Sequence, residues 1–115
     1  NQRGDLHNRG FVEEHVAGHG ALGDYFENLK AAGPKRGTIK MGDTPTMAYL
    51  LRGDADDPTT PSWGGRFRRV EGRPNWFTDR TEPELAHGDK LGAVTVNRWR
   101  EDFLRDWQRR MDDCK

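Results

Sequence analysis

The sequence predicts an α/β chain, rich in helix, with short strands and long loops. Three features predict it. Residues 38–51 read as a strand, a tight turn and a helix. Residues 96–111 carry one apolar stripe at helical spacing. Fourteen Gly and six Pro in 115 residues make the connections long and irregular.

The elements follow in order. Residues 1–10 are polar and read as a mobile or docking, strand-like lead. From Phe11 to Leu29 the apolar residues Phe11, Val12, Val16, Leu22, Tyr25, Phe26 and Leu29 fall at helical steps, interrupted by Gly18, Gly20 and Gly23. Two short helices are therefore expected, ended by Pro34 and Gly37. Thr38–Met41 is a strand candidate, and Gly42-Asp43 turns it into a helix carrying Met47, Ala48, Tyr49, Leu50 and Leu51. Thr44 suits the helix cap and Pro45 the first helical position, because proline lacks the N–H that would go unpaired there. Residues 53–65 are a long acidic loop, Arg66–Val70 a possible strand, and 71–92 mostly loop. Val96, Trp99, Phe103, Trp107 and Met111 then define an amphipathic helix, capped by Thr95 or Asn97. Its opposite face is charged and includes Arg98, Asp102, Asp106 and Arg110.

Composition limits what this chain can do. Only 32% of residues are hydrophobic while 33% are charged, and the mean hydropathy is -1.06. Such a balance suits either a disordered chain or a piece of a domain whose remaining core lies elsewhere. Four Trp, five Phe and the periodic segments favour the piece. Lys plus Arg and Asp plus Glu both number 19, so no net positive charge draws the chain to nucleic acid. No run approaches the roughly 18 apolar residues of a membrane span. Cys114, the one cysteine, excludes an internal disulfide and a cysteine-based zinc site.

Asp43 is the first candidate site residue. A carboxylate at the tip of a strand can reach a hard cation or a sugar hydroxyl, or it can simply cap the helix that follows. Trp63, beside Gly64-Gly65, is a candidate for stacking a ligand ring. Trp76 and Phe77 can do the same from their loop, but plugging the core from outside is the expectation for them. His15 and His19 are four apart, a zinc-pair spacing on an unbroken helix. The glycines break that helix, so a surface pair, with His19 fixing the turn before Leu22, is expected. Asp54, Asp56 and Asp57 invite a calcium-loop reading, yet Thr59 and Gly65 stand where such a loop needs Gly and Glu. A solvated turn is expected there.

The run Ile39-Lys40-Met41-Gly42-Asp43-Thr44-Pro45-Thr46, followed by Ala48-Tyr49-Leu50-Leu51, resembles bacterial nucleoside-hydrolase-like proteins, some of whose members are described as cellulose-binding. His19-Gly20-Ala21-Leu22-Gly23, Asp57-Pro58 leading to Trp63-Gly64-Gly65-Arg66-Phe67, and Val96-Asn97-Arg98-Trp99-Arg100 continuing to Asp112 are similar to the family in the same order. The resemblance implies the carboxyl-terminal portion of a Rossmann-like nucleoside-hydrolase-type fold, residues 1–115 being one partial domain that lacks its amino-terminal half. It implies Asp43 as a calcium ligand, with Thr44, His19 and Trp63 near a sugar-containing ligand. It also implies an extracellular or periplasmic location. Gly42 stands where nucleoside hydrolases have a histidine, and their early aspartate cluster has no counterpart here. One carboxylate cannot satisfy a cation that takes about 6–8 oxygens.

Three functions therefore compete. The chain is part of a calcium-dependent glycosidic-bond hydrolase, or a non-catalytic module that binds a sugar-containing small molecule or polysaccharide, or a structural segment of a larger assembly. In each the remaining part of the same domain is a partner. Loss of the neighbouring histidine favours binding over nucleoside hydrolysis.

Overall fold

The computed structural model describes residues 6–28 and 43–114. The strand expected at 38–41, and with it Gly42, lies outside the described residues. The chain divides into two compact units: a central one, Met41–Phe103, and a terminal one that joins Gln2–Lys40 to Leu104–Lys115.

In the terminal unit the two expected helices form, α1 (Leu6–His15) and α2 (Gly20–Asn28). Helix α1 begins at Leu6, inside the lead expected to be strand-like, because packing at Val12 and Val16 outweighs the polar residues before them. Gly18 and Gly20 sit at φ 71° and 64°, a left-handed backbone that separates the helices. His15 ends α1 while His19 lies beyond the break, so they share no helical face. Nor is His19 on the surface; it is 8% exposed.

The buried side chains described here are Val12, Val16 and Met111, with the polar His19 and Asp106. Val12 and Val16 are fully buried and Met111 nearly so; each contributes about 1.5–3 kcal/mol if wholly withdrawn from water. Trp107 lies 4.9 Å from the Phe26 ring, edge to face, and 6.0 Å from Phe11. Trp107, near the carboxyl-terminal end of the stripe, thus meets α1 and α2. At Gly23 an added Cβ would fall on the Val16 carbonyl oxygen and 3.2 Å from His19 Cβ, so only glycine lets α2 approach this closely.

The long carboxyl-terminal helix is broken. Helix α4 (Ala93–Asn97) stops, and α5 (Arg100–Asp112) starts after Arg98-Trp99. Neither Thr95 nor Asn97 caps it. Gly92, at φ 71°, precedes α4, and Thr95 is buried inside, its hydroxyl donating to the Gly92 carbonyl at 2.7 Å. Asp106 also departs from its expected solvated face. It is 9% exposed and accepts from Arg109 at 2.9 Å and Arg110 at 2.7 Å, ion pairs one helical turn long.

The central unit holds helix α3 (Thr44–Arg52) and an antiparallel hairpin of β1 (Phe67–Val70) and β2 (Arg73–Asp79). Strand β2 falls where the sequence reads as loop. The turn is Glu71-Gly72, with Gly72 at φ 71°, and Pro74 hides the strand signal behind it. Arg69 pairs with Phe77 but Val70 pairs with Arg73, so Pro74, Asn75 and Trp76 bulge out between the two pairs. Trp76 is therefore 61% exposed and does not plug the core. A 3-10 turn (Pro83–Leu85) leads on towards α4. The buried apolar residues described in this unit, Ala48 and Ala93, are small, while Met47, Leu50 and Leu51 of α3 stay exposed.

No helix among the described residues is long and apolar enough to cross a membrane.

Candidate functional site

Helix α3 begins one residue earlier than its sequence suggests. Asp43, at φ −83° and ψ −13°, holds the cap position, and its backbone carbonyl accepts the Thr46 N–H at 3.0 Å. Thr44 is consequently the first helical residue rather than the cap. The Asp43 side chain makes no capping hydrogen bond, and both Asp43 and Thr44 are exposed. The helix does not consume this carboxylate.

Gly64 locks a tight turn onto the same helix. An added Cβ would lie 2.5 Å from Tyr49 Cβ and 2.6 Å from the Pro45 carbonyl oxygen, so no larger residue fits without moving backbone. The turn closes through two backbone bonds of 2.9 Å between Ser62 and Gly65, with Gly65 at φ 113°. Trp63 rides on it, half-buried, with the Arg52 guanidinium 5.2 Å from its ring centre. Part of its flat face is thus already covered by a cation.

Beside this turn opens a cavity of about 830 Å³. Three aromatic rings line it, Tyr49, Phe67 and Phe77; the first two meet edge to face at 5.9 Å. Polar groups come from separate elements: Thr46 in the first turn of α3, Asp79 at the end of β2, Asp89 and Lys90 from a tight turn, and Thr95 of α4. Phe77 and Asp79 are two apart on one strand and so point to the same side. Lys90 pairs with Asp89 at 2.8 Å. Burial, then the Asp54 and Asp57 carboxylates, raise the Tyr49 phenol above its usual value, so it stays protonated and donates to the Asp54 carbonyl. Such a mix of ring faces and a few convergent polar groups is typical of small-molecule sites.

The sequence candidates stand differently towards this cavity. Asp43, Thr44 and Trp63 do not line it, but their chain neighbours Pro45, Thr46 and Gly64 do. His19 belongs to the terminal unit, where both ring nitrogens are engaged, Nδ1 with the Ala17 carbonyl and Nε2 with Asp112, each at 3.1 Å. Phe77 was a stacking candidate in the sequence and Phe67 fell in the strand expected at 66–70, but Asp79 and the strand that sets it beside Phe77 were not legible there. The signal available was the Glu71-Gly72 pair between two aromatic-containing runs.

A cation site is not assembled by the described residues. Among them no three His, Cys, Asp or Glu side chains cluster. Asp54 and Asp57 turn back on their own loop, Asp54 accepting the N–H groups of Asp56 and Asp57, and Asp57 those of Thr59 together with its hydroxyl. They form the solvated turn expected of them. Asp43 supplies one carboxylate, which does not by itself fit calcium.

Residues 1–67 match the model of a family described as cellulose-binding Sde182, nucleoside hydrolase-like domain. The chain belongs to this family. The family match takes in His19, Asp43, Thr44 and Trp63 and ends at Phe67, the first residue of β1. The helices with a small two-stranded sheet agree with an α/β class. No curated protein and no solved structure matches the chain.

Proposed function

We propose that this chain is the part of a nucleoside-hydrolase-like domain that holds a carbohydrate, seated in the cavity of the central unit. The carrying observation is that lining: Tyr49, Phe67 and Phe77 rings with Asp79 and Thr46 among them, in a chain whose family description contains the word cellulose-binding. A pyranose ring has an apolar C–H face and a rim of hydroxyls. Aromatic rings take the first by burial, while carboxylates and threonine hydroxyls take the second by hydrogen bonds. Zero net charge suits an uncharged ligand. Calorimetry with cello-oligosaccharides and with nucleosides tests the reading. Phe77→Ala and Asp79→Asn should each weaken sugar binding about tenfold, the loss of roughly 1.4 kcal/mol. Unchanged affinity in both, or no binding of either ligand class by the unaltered chain, rejects it.

A second reading is glycosidic-bond hydrolysis with calcium in the complete protein, and the exposed, uncapped Asp43 carboxylate supports it. In that reading Asp43 is one calcium ligand, Thr44 and Trp63 flank the sugar, and other polypeptide of the same Rossmann-like domain supplies the remaining oxygens. The exposed Met47, Leu50 and Leu51 favour such a neighbour. An extracellular or periplasmic location goes with a polysaccharide ligand. For His19 the two engaged nitrogens favour holding its turn over contacting a ligand. Asp43→Ala should abolish calcium binding by the complete protein in a titration, and retained affinity removes the assignment.

A further inference from the structure

We infer that Trp76 is a second sugar-contact point, a ring platform on the β1–β2 hairpin that grips a polysaccharide outside the cavity. The inference rests on the carbohydrate reading above and adds a site to it. Trp76 is 61% exposed and so presents a large, flat, apolar surface to water. Its exposure is built into the strand pairing. The Pro74-Asn75-Trp76 bulge lifts it from the sheet, and Arg69 ties the bulge down by donating to the Pro74 carbonyl. Arg73 lies over the ring at 4.6 Å from its centre. One side of the indole is thereby held by a cation, and so large a remaining exposure leaves the rest of the ring open to a flat partner.

The surroundings favour a sugar over a phosphate-bearing strand. Gly72, Arg73, Pro74, Asn75 and Trp76 line a shallow concavity of about 400 Å³. Nothing lies within 4 Å of a Cβ placed on Gly72, so the approach is unobstructed. Asn75 brings an amide, both donor and acceptor, to the rim where ring hydroxyls would lie. Three arginines stand on this hairpin, Arg68, Arg69 and Arg73, and two of them stack on its rings. Arg73 covers Trp76, and Arg69 covers Phe77 at 4.9 Å besides bonding Pro74. The Glu82 carboxyl beside the hairpin is held below its usual value first by its own backbone N–H and then by Arg80, which bonds it, with burial opposing and Arg68 adding the least. Arg69 and Arg73 thus lie on the hairpin's own rings, and the chain as a whole carries no net positive charge to draw a phosphate strand.

The test uses the full chain, Trp76→Ala and Trp76→Phe, with insoluble cellulose, cellohexaose and a single-stranded oligonucleotide as probes. Retention on cellulose and cellohexaose affinity should fall about tenfold in Trp76→Ala, within the range that one aromatic stacking contact provides, and recover in part in Trp76→Phe. Circular dichroism should be unchanged, as the side chain is exposed. If the unaltered chain binds and Trp76→Ala binds equally well, the platform is rejected while the cavity stands. If the unaltered chain binds neither glucan, the platform is rejected, and the cavity reading falls with it when nucleosides fail to bind as well. Tryptophan-dependent binding of the oligonucleotide alone, or a change in sedimentation alone, assigns Trp76 to another partner and overturns the inference.

Discussion

Phe11, Phe26 and Trp107 of the terminal unit pack their rings on one another, whereas Trp63, Trp76 and Phe77 of the central unit each lie beneath an arginine. The same residue types carry out two tasks. In the terminal unit, rings join the buried Val12, Val16 and Met111 in a small core whose energy comes from removing apolar surface from water. In the central unit the buried apolar residues described are two alanines; Tyr49, Phe67 and Phe77 line a cavity, and Trp76 stands in solvent. An arginine stacked on a ring orients it without removing it from the surface. The contrast separates rings that hold the fold from rings left accessible at its surface.

The comparison can be broken most forcefully at Trp107. Its replacement by alanine should cost about 3 kcal/mol, because two ring contacts vanish and a void remains; denaturant unfolding measures it, and a loss near zero would place Trp107 with the surface rings. Gly64→Ala comes next, at about 2 kcal/mol, since the new methyl meets Tyr49 and the Pro45 carbonyl. Thermal unfolding should show that loss, and sugar affinity should drop with it as the turn moves off α3. Trp76→Ala should shift stability by less than about 0.5 kcal/mol. A cost comparable to that of Trp107 would mean the bulge is structural. The smallest effect concerns Asp57, whose carboxyl is held below the usual aspartate value chiefly by the Thr59 hydroxyl and N–H. Because the folded value is the lower one, its stabilising contribution is complete above the ordinary aspartate range and disappears as pH falls through the folded value. Thr59→Val should move the Asp57 titration upward in an NMR pH series; an unmoved midpoint would show that the hydroxyl does not matter.

Much of the local architecture was legible in the residues. Gly18 and Gly20 announced the break between α1 and α2, since both need a left-handed backbone. Asp54 and Asp57 read correctly as a solvated turn, because Asp followed by Pro and Thr binds its own loop. The α3 start was right to one residue. Illegible features were those set by distant partners. Trp99 and Phe103 continue one stripe in sequence, yet Arg98-Trp99 interrupts the helix there. Asp106 looked solvated because its arginines follow it on the helix, and the pattern says nothing of its burial.

Taken alone, the amino-acid order determined the helix periods, the glycine breaks, the absence of net charge and the family, because each depends on residue type and local spacing. Tertiary structure alone decided which rings are buried and which are open, that β2 pairs with β1 through a three-residue bulge, and that Phe67, Phe77 and Asp79 line one cavity with Tyr49. The physical reason is range. Backbone preference acts over a few residues, whereas exposure of a side chain depends on what the fold brings against it from far along the chain.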